Sequence, residues 1–233
     1  MSEVSKNSAF IFRLSSPDPF ECILYTDGGA YFIISSSTAS SSDAFSPSAL
    51  LTPPTSPTSA SAPKRGSSLA GNAGDTITIC SARGLGELVG TIRHTKMGQW
   101  EIAFGPEESR GTPFGKFFGI GVLGKVMGQK PKVRDTEGGV WTWQGYRSSR
   151  DLYLVSPTNE VAAQFRPADS TRIADPNAAL IVYSCAFDIK ELVLVSWLAL
   201  ERVQRDEEQG KKGKQGKRGS GEWRSMSLGG QGK

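Results

Sequence analysis

The sequence predicts a mainly β protein, a barrel or sandwich of short strands closed around one buried helix near the C-terminus. Two observations carry this. Between residues 9 and 183, short runs rich in β-branched and aromatic residues recur at regular spacing, roughly ten of them, separated by Gly, Pro, Asp and Ser turn signals. From Leu192 to Leu200 every residue except Ser196 is apolar. No polar face remains over about two and a half turns, and a helix that is apolar all round must be enclosed. A barrel offers a place for it.

Ala9–Leu14 (AFIFRL) and residues 20–26 (FECILYT) read as strands, divided by Ser-Pro-Asp-Pro. Asp27-Gly28-Gly29 turns the chain into a third strand over residues 30–35 (AYFIIS), since glycine supplies the positive φ of tight hairpin turns. Composition then changes. Of the 39 residues from 36 to 74, 21 are Ser, Thr or Pro, too few of the rest being apolar to offset the entropy of ordering them. Residues 36–74 are therefore expected to be a disordered insertion. Strand signals resume with TITI at Thr76, residues 87–94 (ELVGTIRH) and Trp100–Phe104, where apolar and polar residues alternate. Residues 111–128 carry too many glycines for a stable helix and too many apolar residues for a loop, so a strand or two with bulges is expected. Trp141 and Trp143, residues 152–155, residues 161–165 and Ala179–Tyr183 complete the series.

Asp188 stands three residues before Glu191, a capping-box spacing that marks a helix start. Leu-Val-Leu-Val by itself suits strand or helix, and the cap together with the charged continuation ERVQRDEE favours a helix ending at Glu208. The expected organisation is one β domain from residues 1–35 and 75–208, the insertion at 36–74, and a disordered basic tail at 209–233.

The formal charge of +4 is unevenly placed. The tail carries seven basic residues against Glu222 alone, a net of +6, so the remainder is slightly acidic. Basicity therefore belongs to the tail and does not mark a nucleic-acid-binding domain. Three widely spaced cysteines, Cys22, Cys80 and Cys185, sit in apolar runs and suggest free core thiols in a reducing compartment. MSEVSKNSAF lacks the apolar stretch of a secretory signal, no segment is long enough to be transmembrane, and neither a myristoylation nor a prenylation pattern is encoded. The expectation is an intracellular, cytoplasmic protein, with peripheral membrane or nuclear placement as alternatives.

Sites of chemistry are scarce. Gly119, Gly121 and Gly124 satisfy GxGxxG, and Gly119 with Gly124 and Lys125 satisfies GxxxxGK, but Val126 stands where magnesium binding needs Ser or Thr, and Gly128 and Pro131 leave no room for the helix a phosphate site requires. Glycines permitting bends in a barrel strand explain them better. His94, the only histidine, reads as a strand-end surface residue. No ligand set for zinc and no GxSxG, HExxH or paired-carboxylate pattern is present; Glu107 and Glu108 suit a solvated loop. No catalytic residue, cofactor or metal is assigned.

Phe114, Phe117, Phe118, Trp141, Trp143 and Tyr146 interleave with Lys116, Lys125, Lys130, Lys132 and Arg134, a composition able to stack and neutralise single-stranded nucleic acid. Strand alternation instead turns aromatics inward and charges outward. Lys211, Lys212, Lys214, Lys217 and Arg218 form a basic cluster, the candidate contact for anions or anionic lipid, where each charge contributes ~1 kcal/mol near a negative membrane surface. A solvated tail, a nuclear-import address or a non-specific nucleic-acid contact are its alternatives, and Trp223 is a candidate for the lipid interface. In the insertion, Ser46, Thr52 and Ser56 each precede proline, and Pro54 and Pro57 give a PxxP spacing; these are candidates for phosphorylation or groove docking.

Taken together, GELVGTIRHTKMGQWEIAF, GVWTWQGYRSSRDLYLV, EVAAQFR and ALIVYSCAFDIKELVLVSWLALERVQRDEE occur here in the order seen in a fungal domain family of unknown function. Thr76–Ser81 with the two residues that follow, and residues 20–35, resemble its N-terminal strands. The likeness covers nearly everything but the insertion and the tail, through order and spacing rather than one sharp motif. It implies a tubby-like fold, a closed antiparallel barrel threaded by a hydrophobic C-terminal helix. Tubby-like proteins include phosphoinositide binders, yet no phosphoinositide-binding residues map onto matching positions of this chain. The lack of a catalytic constellation, this resemblance and the basic tail together lead to the expectation of a non-enzymatic binding or scaffold module, with anionic membrane lipids or a protein as partner. A nucleic-acid-associated protein using the tail, and an enzyme with an unrecognised site, are the alternatives.

Overall fold

In the computed structural model, residues 8–37, 74–83, 86–105, 111–121, 129–146, 152–168 and 177–218 are described, with side chains as far as Gln209. Twelve strands form one antiparallel sheet: β1 Ala9–Leu14, β2 Cys22–Thr26, β3 Gly29–Ser37, β4 Thr76–Ser81, β5 Leu88–His94, β6 Trp100–Phe104, β7 Thr112–Pro113, β8 Lys132–Arg134, β9 Val140–Gln144, β10 Tyr153–Val155, β11 Val161–Arg166 and β12 Ala179–Tyr183. A one-turn helix, α1 (Phe114–Phe117), follows β7, and α2 (Lys190–Arg218) closes the chain. The spatial order is β7-β6-β5-β4-β3-β2-β1-β12-β11-β10-β9-β8. Every pair of strands consecutive in sequence is antiparallel and adjacent except β7 and β8, the two edges, and β12 returns to pair with β1, matching Phe10 with Val182 and Phe12 with Leu180.

The closed barrel expected from the sequence is not formed by strand pairing. No ladder joins β7 to β8, so the sheet is open at those two strands. The reason lies in residues 111–120. Pro113 withholds a backbone donor, and α1 takes the chain out of the extended conformation after only two residues of β7. The helix stops at Gly119, whose φ of 61° places it in the left-handed region. Its N–H donates to the Lys116 carbonyl while Ile120 N–H donates to Gly115, the paired bonds of a Schellman cap. Lys132 N–H then donates to the Phe118 carbonyl at 3.0 Å, tying β8 to this segment by a backbone bond rather than a ladder.

Enclosure of the helix is as expected. Leu192 through Leu200 are all buried, Ser196 included. Neighbours come from both halves of the sheet: α2 packs on β5, β6 and β12, the Trp197 ring lies 4.7 Å from Phe165 of β11, and Trp143 of β9 bonds to Ser196. Gly90 of β5 is where helix and sheet come nearest. A Cβ there would lie 2.8 Å from the Ala103 carbonyl oxygen and 3.0 Å from a Val195 methyl carbon, so only glycine admits this packing. Ser196 is accommodated because its hydroxyl accepts from the Trp143 indole at 3.1 Å and donates to the Val193 carbonyl at 3.1 Å.

Two helix boundaries differ from the sequence expectation. Asp188 is not the N-cap. The 3₁₀ turn Ser184–Ala186 winds directly into α2, Ile189 N–H donates to Ala186, and Val193 N–H makes the first helical bond to Ile189, which puts Ile189 at the cap position. At the other end α2 does not stop at Glu208 but runs to Arg218, so the basic residues assigned to a disordered tail lie on helix. Glu207 and Glu208 precede Lys211 and Lys212 by four residues, the favourable order for i,i+4 pairs, and cations near a helix C-terminus oppose the dipole charge. These terms work against the ~1 kcal/mol cost of each of Gly210, Gly213 and Gly216 without cancelling it. Residues 38–73 and 219–233, with Trp223, lie outside the described residues.

Candidate functional site

The strand registers define two ends of the domain. At one, β3 ends, β4 begins, the β5–β6 hairpin turns, and α2 leaves the sheet. The exit is held by a cluster drawn from four elements. Arg202 places its Nη2 3.4 Å from Asp75 Oδ2 and its Nε 3.6 Å from Asp206 Oδ1. Its guanidinium lies 5.2 Å over the Trp100 ring and 5.4 Å over Phe20. Trp100 Nε1 donates to Asp206 Oδ2 at 3.1 Å. Arg205 bonds Glu201 at 2.8 Å, sits 3.6 Å from Asp18, and covers Phe20 at 5.1 Å. Partly exposed ion pairs such as these are individually worth little. Together with the cation–π contacts they fix where α2 emerges, and Asp75 ties the point at which the chain returns from residues 38–73 to that exit.

The candidate residues Lys211, Lys212, Lys214, Lys217 and Arg218 all fall on α2 beyond this cluster. The helix rises about 18 Å over the twelve residues from Asp206 to Arg218. Positions 211, 214 and 218 are spaced i, i+3, i+7, which sets their Cα atoms along one side of the helix.

Other sequence candidates find structural roles. Gly119 ends α1 instead of opening a helix, so the first half of the GxGxxG pattern has the opposite polarity to a phosphate loop; residues 122–128 lie outside the described residues, as do Glu107 and Glu108. Phe114, Phe118, Trp141 and Trp143 are buried and Phe117 and Tyr146 half-buried, while Lys116, Lys130, Lys132 and Arg134 are exposed; in β8 and β9 this is the strand alternation expected, whereas the three phenylalanines are placed by the turn of α1. The four buried ring faces are in the core and are not offered to bases. His94 ends β5 as expected but is half-buried rather than fully on the surface, its ring 4.6 Å from Trp100 and its Nδ1 buried with no hydrogen-bond partner.

The three thiols occupy three environments. Cys22 is buried, its Sγ donating to the Pro19 carbonyl at 3.4 Å, and burial, reinforced by the Asp18 charge, pushes its pKa up to about 12. Cys80 is half-buried and Cys185 is exposed, contrary to the core placement expected of all three; burial raises both pKa values, with Glu160 adding to it at Cys185. None is a thiolate at neutral pH. Asp135 is held below the usual carboxylate range, chiefly by the Trp141 indole N–H at 2.8 Å against some opposing desolvation, and also by backbone N–H groups including Gly139. It fastens the β8–β9 turn. Among the described residues no group of three or more His, Cys, Asp or Glu is arranged to hold a metal ion, and no helix is long and apolar enough to cross a membrane.

Sequence reasoning missed the exit cluster. Asp75 and Arg202 are 127 positions apart, and neither stands in a motif; no signal short of the fold connects them.

No family model and no curated protein matches the chain. Among solved structures, an X-ray structure of a protein from Arabidopsis thaliana is similar to it, at 13% identity and a TM-score of 0.37, over 81% of this chain and 89% of that one. A likeness at this level carries no functional conclusion.

Proposed function

We propose that this chain is a non-enzymatic binding or scaffold module that associates with anionic membrane surfaces, of the phosphoinositide kind, through the last turns of α2. One observation carries the reading: the helix, anchored by Arg202, Arg205 and Trp100 where it leaves the sheet, continues to Arg218 and there gathers five cations within eight residues. Helical spacing lets several approach a negative surface together, which an unstructured tail does only at an entropic cost. At ~1 kcal/mol per cation the cluster supplies a few kcal/mol, a weak and salt-sensitive attachment. The resemblance to the fungal domain family, with the tubby-like fold it implies, supports the same reading.

The test is co-sedimentation of the full chain with neutral and phosphoinositide-containing vesicles at low and physiological salt. Replacing Lys211, Lys212, Lys214, Lys217 and Arg218 by Gln should reduce binding to anionic vesicles about a hundredfold or more, from the loss of a few kcal/mol. Equal binding of the two proteins, or no binding by either, overturns the proposal. Capture of single-stranded oligonucleotides in preference to vesicles would favour nucleic acid as the partner.

A further inference from the structure

The β5–β6 hairpin projects from the same end of the domain as α2. Its tip is short and well fixed: Thr95 N–H donates to the Gln99 carbonyl at 2.8 Å, Gly98 N–H returns to Thr95 at 2.9 Å, and Gly98 takes the left-handed φ of 73°. Met97 at the tip is 88% exposed, far more than Ile11, Leu88 or Val161. Lys96 beside it is exposed as well. Both strands of the hairpin are anchored to the α2 exit, since Trp100, which begins β6, bonds Asp206 and sets its ring, tilted by 43°, 4.6 Å from that of His94, which ends β5.

The reach of the two projections matches. Lys211 and Lys212 lie five and six residues past Asp206, a helical rise of about 8–9 Å. Met97 lies three residues past both His94 and Trp100, an extended reach of up to about 10 Å. The charges of the domain favour the same orientation. At this end the carboxylates of Asp18, Asp75, Glu201 and Asp206 are engaged by Arg202 and Arg205, while Lys96, Lys116, Lys130 and Lys132 are exposed against the exposed carboxylates Glu21 and Glu208. At the far end, set by the turns between β2 and β3 and between β8 and β9, the exposed acids Asp27, Glu87, Glu137, Glu160 and Asp188 outnumber the exposed Arg83 and Arg134, Asp27 being paired with Arg13.

We propose that the β5–β6 hairpin tip is a second contact with anionic lipid, Met97 entering the headgroup layer and Lys96 pairing with lipid phosphate, so that the domain docks with its acidic end away from the surface. An unbranched, polarisable apolar side chain flanked by a cation, on a fixed turn beside a basic helix, suits a surface that is negative outside and apolar beneath. This inference rests on the reading that the end of α2 engages anionic lipid.

The experiment uses the full chain with Cys185→Ser and Met97→Cys, labelled at position 97 with an environment-sensitive dye. A Cys185→Ser protein without the second substitution is the labelling blank, and Glu137→Cys is the control at the far end. On phosphatidylcholine vesicles containing phosphatidylserine and phosphoinositide, the dye at 97 should shift to the blue and brighten; the dye at 137 should not, and pure phosphatidylcholine should affect neither. Lys96→Gln should weaken co-sedimentation about fivefold, the share of one lysine. Binding of the full chain to anionic vesicles with the dye at 97 still in water overturns this inference and leaves the helix reading standing. Absence of vesicle binding by the full chain removes the helix reading and this one with it.

Discussion

Trp143 and Trp197 are both fully buried, yet they differ in one bond. The Trp143 indole N–H donates to Ser196 at 3.1 Å, whereas Trp197 Nε1 is buried with no hydrogen-bond partner. Replacing either by Phe removes similar apolar area and opens a similar cavity, so those terms largely cancel between the two variants. What remains is the polar difference. Trp143→Phe loses a hydrogen bond with a net worth of about 1 kcal/mol, and Ser196 keeps its bond to Val193. Trp197→Phe removes an orphaned donor whose burial costs about 1–3 kcal/mol. Trp143→Phe should therefore be the less stable variant by about 2–4 kcal/mol. Urea unfolding followed by far-UV circular dichroism reads this directly, without the tryptophan emission that the substitutions alter. Thermal midpoints should separate by several degrees in the same order. Equal midpoints, or a lower one for Trp197→Phe, would refute the assignment of the two indoles.

Leu194→Ala should cost about 2–5 kcal/mol through lost burial and the cavity left in the centre of α2, and an unchanged urea midpoint would contradict enclosure of the helix. Maleimide labelling at pH 7.5 should modify exposed Cys185 first and Cys22 only on unfolding. Cys22 also carries a pH dependence whose sign is fixed: with the folded thiol near 12 and its ordinary value 9.0, both states are neutral below pH 9 and its contribution is intact. Between pH 9 and 12 the unfolded state ionises first and binds fewer protons, so stability falls as pH rises. Cys22→Ala should flatten that alkaline decline, as measured by the urea midpoint across the range.

Much of the fold was legible because its signals are local. Ala9–Leu14, Trp100–Phe104 and Ala179–Tyr183 are strands with the bounds that alternation and turn residues gave them. Burial of Leu192 through Leu200 followed from the lack of a polar face. Strand alternation also placed Trp141 and Trp143 inward, and composition located the basic cluster, though not on helix. Where glycine and apolar residues are mixed, local pattern fails. Residues 111–120 became a two-residue strand, one helical turn and a Schellman cap because Pro113 and Gly119 act through particular backbone bonds. That segment decides that the sheet stays open between β7 and β8.

Other features belong to the tertiary structure alone. Which of two buried tryptophans has a partner depends on the side of α2 that meets β9, and Ser196 happens to face Trp143. Asp75 meets Arg202, and Asp206 meets Trp100, across more than a hundred residues. The shared end of the domain for Met97 and the basic helix likewise follows from strand register and the path of α2. Composition and periodicity fix what a residue prefers, buried or exposed, extended or helical. Which residues then become neighbours is set by long-range pairing, and no local preference encodes it.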